Sequence, residues 1–589
     1  MSKTLLRTTP FLGLLLLSSV SYAGIVHVDA NLATGLNDGS SWANAFQGQD
    51  GLQTALIGAA VGDQLFVAQG TYRPSSTGAR GDSFRPRTGI EIYGGFLGTE
   101  TSVGERPPIG TAPSIMSADL NGDDNSGGST AENSYHLIRG NSSDPTAVVD
   151  GFTMTGGNAN GSGNNNKGGA VLTVGGASPS LRNCLFIDNS CTFGGGAGYI
   201  SGNAAPSYTD CSFIDNNGGS FGGAFDMAGA GPVRFDRCLF QGNRAARAGA
   251  VEVFSTTGVV ISNCVFTDNL ATGGSGGGAL WMGSGGNTEV RNCTVYANRS
   301  TNQAAAGMRV QSAAGTTVAN CIFWDNEGPG GAQGASNQIS GTSNVTYTIV
   351  EGGFAGTGNL AADPQLTNPA GGDFSSTITS PGVDAGNNAA VPSGVTLDIA
   401  GSPRFVDEVS VPDTGSGSSP LVDMGAAEFQ GIGGDFFSAY CPGDGTGGAC
   451  PCGNNGAAGN GCANGSFASG SNLSATGTPS IASDTMVLNA TGSTPSSPGI
   501  FFQGDDIVAG GNGLTFGDGL RCAGGVVCRM ELVFADTFGA ASSTVSVSVK
   551  CGANAGETKR YQWWFRDTNL TLCGGGFNVS NGLETTWMP

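Results

Sequence analysis

Six cysteines recur at nearly constant spacing through the middle of the chain, and this repeat limits the possible folds more than any other feature. They stand at positions 184, 211, 238, 264, 293 and 321, at steps of 26 to 29 residues. Each begins a related hexapeptide: CLFIDN, CSFIDN, CLFQGN, CVFTDN, CTVYAN and CIFWDN. A recurrence of this length is typical of a solenoid, in which each repeat forms one turn and buries its apolar residues against its neighbours.

A second motif precedes each hexapeptide at a fixed distance. It is GGAV from Gly168, GGAG from Gly195, GGAF from Gly222, AGAV from Ala248 and GGAL from Gly277, and it fades to AAGM from Ala305. From the start of this motif to the Phe or Val of the hexapeptide there are 18 residues in all six copies, whereas the return to the next motif takes 8 to 11. The variation in length therefore falls at one corner of each turn, which predicts a coil of strands with one tolerant loop per turn.

Apolar residues alternate with others after the second motif, as Val251 and Val253 do, and this period of two indicates strands. Strands of successive turns stacked about 4.8 Å apart would share one continuous core. Parallel crossovers are right-handed in the great majority of cases. The sequence therefore predicts a right-handed parallel β-helix.

Asparagine and cysteine side chains are expected to stack along this coil. We expect the asparagine before the cysteine (Asn183, Asn263, Asn292 and Asn320) to occupy a bend, and stacked asparagine side chains to bridge turns by amide hydrogen bonds. Neighbouring cysteines would lie within the Cα range of a disulfide, but parallel side chains point the wrong way for its dihedral angle. We therefore expect stacked, buried free thiols. Cys191 lies outside the ladder.

The repeats and their flanking segments resemble known families. The paired GGA and FxxN motifs resemble the repeats of polymorphic outer-membrane proteins and related right-handed β-helix families, and the flanks resemble secreted β-helix proteins of planctomycete-type bacteria. The opening segment carries this likeness in GDQLFVAQGTYRP (62–74) and IEIYGGFLGTETS (90–102). The closing segment carries it in SPGVDAG (380–386), SPRFVDE (402–408) and VDMGAAEFQ (422–430). The resemblance implies fold more strongly than activity, because β-helices support many functions.

The domain organisation follows from where the repeat begins and ends. We expect an opening segment with irregular coils over 24–150, regular repeats over 151–345, closing coils and a cap over 346–432, and a Cys-rich β domain over 433–589. That last domain resembles a C-terminal β-sandwich-like module of the same secreted proteins, with binding and anchoring both open as roles. Its eight cysteines predict up to four disulfides, and metal binding is the alternative. They are Cys441, Cys450, Cys452, Cys462, Cys522, Cys528, Cys551 and Cys573.

The net charge and the N-terminal sequence indicate the partners and the location of the protein. The 24 Lys and Arg against 45 Asp and Glu give a formal charge of −21 and form no basic cluster, which argues against nucleic acid as a partner. Residues 1–23 have the basic start, apolar stretch and Ser-Tyr-Ala ending of a secretory signal peptide, cleaved after Ala23. No later stretch is long and apolar enough to span a bilayer. We expect a protein that is secreted or held in the cell envelope.

The search for chemistry begins with the side chains that alternate with the inward apolar positions. They form a column of Leu172, Tyr199, Asp226, Glu252, Trp281 and Arg309. Asp226 and Glu252 would lie on neighbouring turns, about 5 Å apart, as the carboxylates of a retaining glycosidase do. The last five members of the column are candidates for glycan binding, and Asp226 with Glu252 for catalysis. The alternative is an ordinary solvated strand face.

Two other patterns, an aspartate-rich loop and the two histidines, give weaker indications of a functional site. Asp119, Asn121 and Asp123 in DLNGDD have the 1,3,5 spacing of oxygen ligands in a calcium loop, although an Asx-rich turn explains the same residues. The only two histidines, His27 and His136, have no nucleophile beside them and are expected on strand surfaces. The sequence therefore predicts no cofactor other than calcium.

The sequence best fits a non-catalytic exported β-helix with a cell-surface, adhesive or glycan-binding role, which presents a face and its variable corner to polysaccharides, cell-surface glycans or neighbouring cells. A polysaccharide lyase or glycoside hydrolase using Asp226 and Glu252 is the second hypothesis. A purely structural surface stalk is the third.

Overall fold

A computed structural model describes residues 24–587 except 142, 286, 304, 312–314, 342–343, 409–410, 432–435, 478, 482–483 and 568–572. The predicted signal peptide, residues 1–23, lies outside the described residues. The chain forms two compact units, the first ending at Phe429 and the second beginning at Gln430. In the described residues, no helix is long and apolar enough to cross a membrane.

Three sheets, here named A, B and C, form the coil of the first unit, and their described strands pair in parallel. Sheet A contains Phe46–Gln47, Ile25–Asp29, Gln64–Ala68, Glu91–Phe96, Val148–Asp150, Ser180–Arg182, Ser207–Thr209, Arg234–Asp236, Val259–Ser262, Thr288–Arg291, Thr317–Ala319 and Asn344–Thr346. Sheet B contains Gly70–Tyr72, Ser114–Ser117, Phe152–Thr155, Leu185–Ile187, Ser212–Ile214, Leu239–Gln241, Val265–Thr267, Thr294–Tyr296, Ile322–Trp324 and Ile349–Val350. Sheet C contains Ile138–Asn141, Val171–Val174, Gly198–Ser201, Phe225–Ala228, Val251–Phe254, Leu280–Met282, Met308–Val310 and Ile339–Ser340.

Shorter elements complete the first unit. Two-residue strands at the variable corner are Asn158–Ala159 with Ser190–Cys191, and Arg244–Ala245, Leu270–Ala271 and Arg299–Ser300. The antiparallel pair Leu366–Asn368 and Asp373–Ser376 follows the coil. The α-helices are Gly51–Gly58, which packs Leu52 and Leu56 onto the core, and Ala335–Gln338. The 3₁₀ turns are Trp42–Asn44, Val103–Glu105, Asp124–Ser126, Thr130–Glu132, Gly163–Asn166, Pro329–Gly331, Pro369–Gly371 and Asn388–Ala390.

Residues one repeat apart lie directly over one another, as predicted. Phe186 pairs in register with Phe213, and Phe213 with Phe240. The rings of these three residues and of Phe266 stack face to face, with successive centroids 4.8, 4.8 and 4.5 Å apart. The repeat therefore becomes a continuous aromatic stack inside the coil.

A ladder of asparagine side chains runs along the corner that closes each hexapeptide. Its members are Asn189, Asn216, Asn243, Asn269, Asn298 and Asn326, and all are fully buried. The Nδ2 of each donates to the Oδ1 of the next, at 2.8 to 3.1 Å, and Gln338 accepts from the last. The asparagines before the cysteines do not form this ladder. They occupy the predicted bends in the left-handed conformation, with φ of 48° to 56°.

The backbone favours glycine at the first two positions of the second motif, as the copy at Gly195 shows. Gly195 has φ +77°, and a Cβ there would approach the carbonyl oxygen of Gly198 to 1.9 Å. A Cβ on Gly196 would come within 2.5 Å of the carbonyl oxygen of Gly223 on the next turn. At these two positions glycine therefore avoids a collision within the turn and with the next turn.

The cysteines divide into two groups, as predicted. The six ladder cysteines and Cys191 are buried free thiols. Burial raises the pKa of Cys184 well above its ordinary value, so this thiol is unreactive. The disulfides among the described residues are Cys441–Cys522, Cys450–Cys462, Cys452–Cys573 and Cys528–Cys551. All eight cysteines of the second unit are therefore paired.

The second unit is an antiparallel β domain. Its larger sheet contains Ser438–Tyr440, Gly582–Thr586, Thr558–Arg566, Pro498–Ile507 and Ala523–Phe534 in that order, with Phe577–Val579 paired to Thr558–Arg566. A second sheet contains Asn472–Thr476, Val487–Thr491 and Ala541–Ser542, and Leu514–Phe516 pairs with Gly519–Arg521. Leu473 and Leu488 of the second sheet share a core with Phe501 and Trp563 of the first. Val547–Cys551 is α-helical, and Val508–Gly511 forms a 3₁₀ turn.

Candidate functional site

The predicted column lies on sheet C with its members in the expected register. Leu172 pairs with Tyr199, Tyr199 with Asp226, and Asp226 with Glu252. Glu252 pairs with Trp281, and Trp281 with Arg309. The periodicity therefore predicted the neighbours of every candidate residue correctly.

The expectation that this column faces solvent is wrong for most of its length. Tyr199, Asp226, Glu252 and Trp281 expose only 6, 3, 1 and 2% of their surface. The cause is the segment just upstream in each turn, which folds back over sheet C. Lys167 lies 4.7 Å from the Tyr199 ring centroid, and the Arg247 guanidinium lies 4.1 Å from that of Trp281. Arg309, further along, is half-buried and donates to Gln303.

The two carboxylates of the column have different surroundings. Glu252 forms a two-point ion pair with Arg247, whose Nε lies 2.9 Å from Glu252 Oε2. Asp226 accepts no such hydrogen bond from the described residues, and its Oδ2 occupies the space that a side chain at Gly194 would fill. Burial and, second, the charge of Glu252 together raise the pKa of Asp226 to about 8, although the charges of Arg247 and Lys167 oppose the rise. Near neutral pH, Asp226 is therefore mainly protonated beside the Arg-paired Glu252, whose own pKa is raised by burial and lowered by Arg247.

A groove lies between the outer face of sheet B and the closing segment. Its volume is about 860 Å³, and its walls include Gln241 and Thr267 from the coil and Phe374 from the antiparallel pair. The rings of Tyr296 and Phe374, which both line the groove, contact each other edge to face with centroids 5.9 Å apart, and Phe374 is buried against Val265 and Ala426. Sequence reasoning missed this site because the closing segment that forms its second wall is not part of the repeat.

Carboxylates line one edge of this groove. Asp268 and Asp325 hold equivalent positions on turns separated by that of Ala297, and all three have a left-handed backbone with φ of 55° to 58°. Burial raises the pKa of Tyr296, and the carboxylates of Asp325 and Asp268 add to the rise, so its hydroxyl keeps its proton. Among the described residues that line the groove there is no Lys, Arg or His. The groove is thus acidic and aromatic.

The predicted calcium loop gathers a different set of ligands. One carboxylate oxygen from each of Asp119, Asp123, Asp124 and Glu132 lies within 4.8 Å of the others. Asn121 instead uses its amide within the loop, donating to Asp123 Oδ2 at 3.0 Å and accepting from Asp123 N at 3.3 Å. The buried oxygens Asp123 Oδ1, Asp124 Oδ1 and Glu132 Oε1 have no hydrogen-bond partner among the described residues.

Beside this loop, Asn133 is fully buried and donates to Asp124 Oδ2 at 2.8 Å, while its own Oδ1 has no partner in the described structure. Clustered carboxylate oxygens without hydrogen-bond partners are ligands that calcium binds, and here the Arg73 guanidinium also lies beside the loop, donating to the carbonyl oxygen of Leu120. The loop therefore offers a candidate calcium site with a revised set of ligands.

His136 differs from the expectation of a surface position, and His27 only partly meets it. His136 is buried, with Nδ1 2.8 Å from the carbonyl oxygen of Gly168, and burial lowers its pKa to about 4. His27 is half-buried on strand Ile25–Asp29 and packs edge to face on Trp42. The contacts of both histidines are therefore those of residues that stabilise the fold.

A cavity of about 650 Å³ opens on the larger sheet of the second unit. Phe502, Trp564, Arg521 and Arg529 are among the residues that line it. Neither arginine forms an ion pair with a carboxylate of the described residues. This unit thus has an aromatic, cationic cavity of its own, unlike the acidic groove of the first unit.

A match to a family model supports the fold of the coil. The family model described as "Right handed beta helix region" matches residues 223–368. A crystal structure of pectate lyase Pel9A is similar at 14% identity and a TM-score of 0.36, over 70% of this chain and 97% of that chain. No curated protein gives a significant match. The finer likeness to polymorphic outer-membrane proteins stays a prediction, and what is shown is a right-handed parallel β-helix followed by a disulfide-bonded antiparallel domain.

The burial of Asp226 predicts how the stability of the protein depends on pH. The native protein holds a proton on Asp226 up to about pH 8, whereas the unfolded chain releases it near the ordinary pKa of 3.8. The stability that this proton contributes is therefore complete below pH 4 and is lost as the pH rises to about 8. We expect the free energy of unfolding of the wild type to fall relative to Asp226→Asn across this window, at up to about 1.4 kcal/mol per pH unit.

Urea denaturation at pH 5, 7 and 9 measures this difference. Asp215→Asn, which removes an exposed carboxylate of the same unit, is the control for the loss of one charge. A gap between wild type and Asp226→Asn that stays constant over this range would show that Asp226 is ionised throughout.

Proposed function

We propose that this is an exported, non-catalytic β-helix protein that binds a neutral polysaccharide in the groove between sheet B and the closing segment. One observation carries the proposal: an open cleft of about 860 Å³ combines the aromatic rings of Tyr296 and Phe374 with a row of hydrogen-bonding groups. Binding sites typically combine apolar walls with a few placed polar groups in this way. Secretion is supported by the four disulfides, because such bonds form in oxidising compartments.

The charge of the groove favours a neutral glycan over a uronic-acid polymer. Asp268, Asp325 and Asp373 lie along it, and a negatively charged chain would be repelled by them. Sugar hydroxyls can donate hydrogen bonds to these carboxylates, while the Tyr296 hydroxyl and the Gln241 amide supply donors. Aromatic faces offer the apolar surface on which the C–H faces of sugar rings pack.

Catalysis by Asp226 and Glu252 is the second candidate, and the raised pKa of Asp226 favours it. A protonated carboxyl beside an ionised one is the arrangement of a glycosidase acid and its partner. Against it, Arg247 pairs with Glu252 and the pair is covered, so a substrate would need the overlying segment to open. The groove offers a ligand direct access, which is why binding is placed first.

For the second unit, binding and anchoring are both open roles. Its aromatic, arginine-lined cavity supports binding. Calcium in the acidic loop of Asp119, Asp123, Asp124 and Glu132 is a further part of the proposal, supported by the unpartnered buried oxygens there. Calcium would offset part of the negative charge of the four carboxylates and fix the loop to the opening coils.

The groove is tested by binding neutral β-glucan, xylan, mannan and galactan fragments, with oligogalacturonate as the anionic member. Tyr296→Ala should weaken binding of the preferred neutral glycan about tenfold or more, because a buried aromatic contact is lost. Asp268→Asn should weaken glycan binding less, because only one hydrogen-bond-accepting oxygen of the groove is replaced. Phe254→Ala, an exposed aromatic on sheet C, and Asp215→Asn, at the position equivalent to Asp268 on an earlier turn, are the matched controls.

Three results of these binding measurements, or of incubating the protein with the same glycans, would contradict the groove proposal. Binding by none of the glycans would favour a structural stalk, and unchanged affinity of Tyr296→Ala would place the site elsewhere. Release of reducing ends or unsaturated products that Asp226→Asn abolishes would establish catalysis at sheet C.

The calcium proposal for the acidic loop is tested by equilibrium dialysis of the full chain against millimolar calcium at 0.15 M salt. Asp124→Asn removes one of the four carboxylates and should bind one calcium ion fewer than Asp144→Asn, which changes an exposed turn residue of the same region. Equal stoichiometry of these two variants would contradict a calcium site in this loop.

A further inference from the structure

Three stretches of the closing segment bring their carboxylates to one point. Asp384 lies in SPGVDAG (380–386), Asp407 in SPRFVDE (402–408), and Asp413 follows in the next loop. One carboxylate oxygen from each lies within 4.8 Å of the other two. This cluster is separate from the acidic loop, from sheet C and from the groove.

Asp384 is the buried member of the cluster. It has no exposed surface, and its Oδ2 accepts from Glu408 N at 3.2 Å. Its Oδ1 is buried and has no hydrogen-bond partner among the described residues. A buried carboxylate oxygen without a partner is unfavourable, because it has lost its hydration and gained nothing in return.

The backbone fixes Asp384 in this orientation. Its φ is +50°, its N donates to Asp423 Oδ1 at 2.8 Å, and its carbonyl oxygen accepts from Thr414 N and Gly415 N at 3.0 and 3.1 Å. These bonds connect Asp384 to the loop that carries Asp413. The carboxylate is therefore held toward Asp407 and Asp413 by contacts that do not involve its own free oxygen.

No positive charge of the described chain neutralises the cluster. The ion pairs of the described residues include none with Asp384, Asp407 or Asp413. The nearby Arg404 is fully buried, pairs with Glu428 and donates to the carbonyl oxygen of Ala426. Burial raises the pKa of Asp384 to about 6, and the charges of Asp407 and Asp413 contribute to that rise.

We infer that Asp384, Asp407 and Asp413 bind a calcium ion that fastens the closing segment. The donors are all carboxylate oxygens, which hard divalent cations prefer. They come from irregular loops, which suits the flexible coordination of calcium better than the strict octahedron of magnesium. Three protein carboxylates leave the remaining positions to backbone carbonyls or water, so the affinity expected is that of extracellular modules, with Kd about 10⁻⁴ to 10⁻³ M.

Such an ion would have a structural role that fits its position. It would join three passes of a segment that has few strands of its own and that forms the second wall of the groove. The free energy of binding would add to the stability of the folded state, because the unfolded chain does not hold the three carboxylates together.

The same equilibrium dialysis of the full chain tests this site with its own variants. Asp413→Asn changes an exposed member of the cluster and should not disturb folding, whereas Asp384→Asn changes the buried one. We expect Asp413→Asn to weaken this site at least about tenfold, so that at a calcium concentration near the wild-type Kd it binds clearly less calcium than Asp363→Asn. Asp363 is an exposed aspartate of the same segment that lies outside the cluster and is the matched control.

The acidic-loop site does not affect this comparison, because Asp413→Asn and Asp363→Asn both retain that loop. Lower calcium binding by Asp413→Asn than by Asp363→Asn near the wild-type Kd, repeated in the Asp124→Asn background, supports the inference. Equal calcium binding by Asp413→Asn and Asp363→Asn, or no calcium binding by the wild type beyond that of Asp413→Asn, overturns it.

Discussion

The amide ladder at the corner of each turn is the interaction on which the rest of the coil depends. Each buried asparagine donates to the next and also to a backbone carbonyl of an earlier turn, so one side chain satisfies groups of several turns. Buried amides that lose such partners are costly, so one vertical spacing and one register are strongly favoured. The stacked phenylalanines, the free thiols and the sheet C column all follow from that register.

The sequence predicted this part of the structure because the same spacing and residue pattern recur in every copy of the repeat. The constant interval of 18 residues predicted which side chains are neighbours, down to the pairing of Asp226 with Glu252. It did not predict that Lys167 and Arg247 cover that column. Alternation separates the two faces of a strand, but the path of the connecting loop decides which outer face meets water.

The candidate sites lie mainly where the repeat stops. The groove needs Phe374 from the closing segment opposite Tyr296 of the coil. The cation site needs three aspartates spread over about 30 residues, which no local motif connects. The regular coil thus acts as a rigid support, and irregular segments packed on it supply recognition and fastening. Local patterns cannot predict such sites because their geometry arises from tertiary packing.

The stacking of turns is tested most directly by distances between spin labels on one column of sheet A. Arg182, Arg291 and Thr346 belong to one such column, with Arg291 four pairings and Thr346 six pairings from Arg182. Labels on cysteines introduced at these positions should be separated by about 19 Å for 182–291 and about 29 Å for 182–346. An increase of about 10 Å between the two pairs supports one vertical stack. Equal distances, or a shorter distance for the second pair, would contradict it.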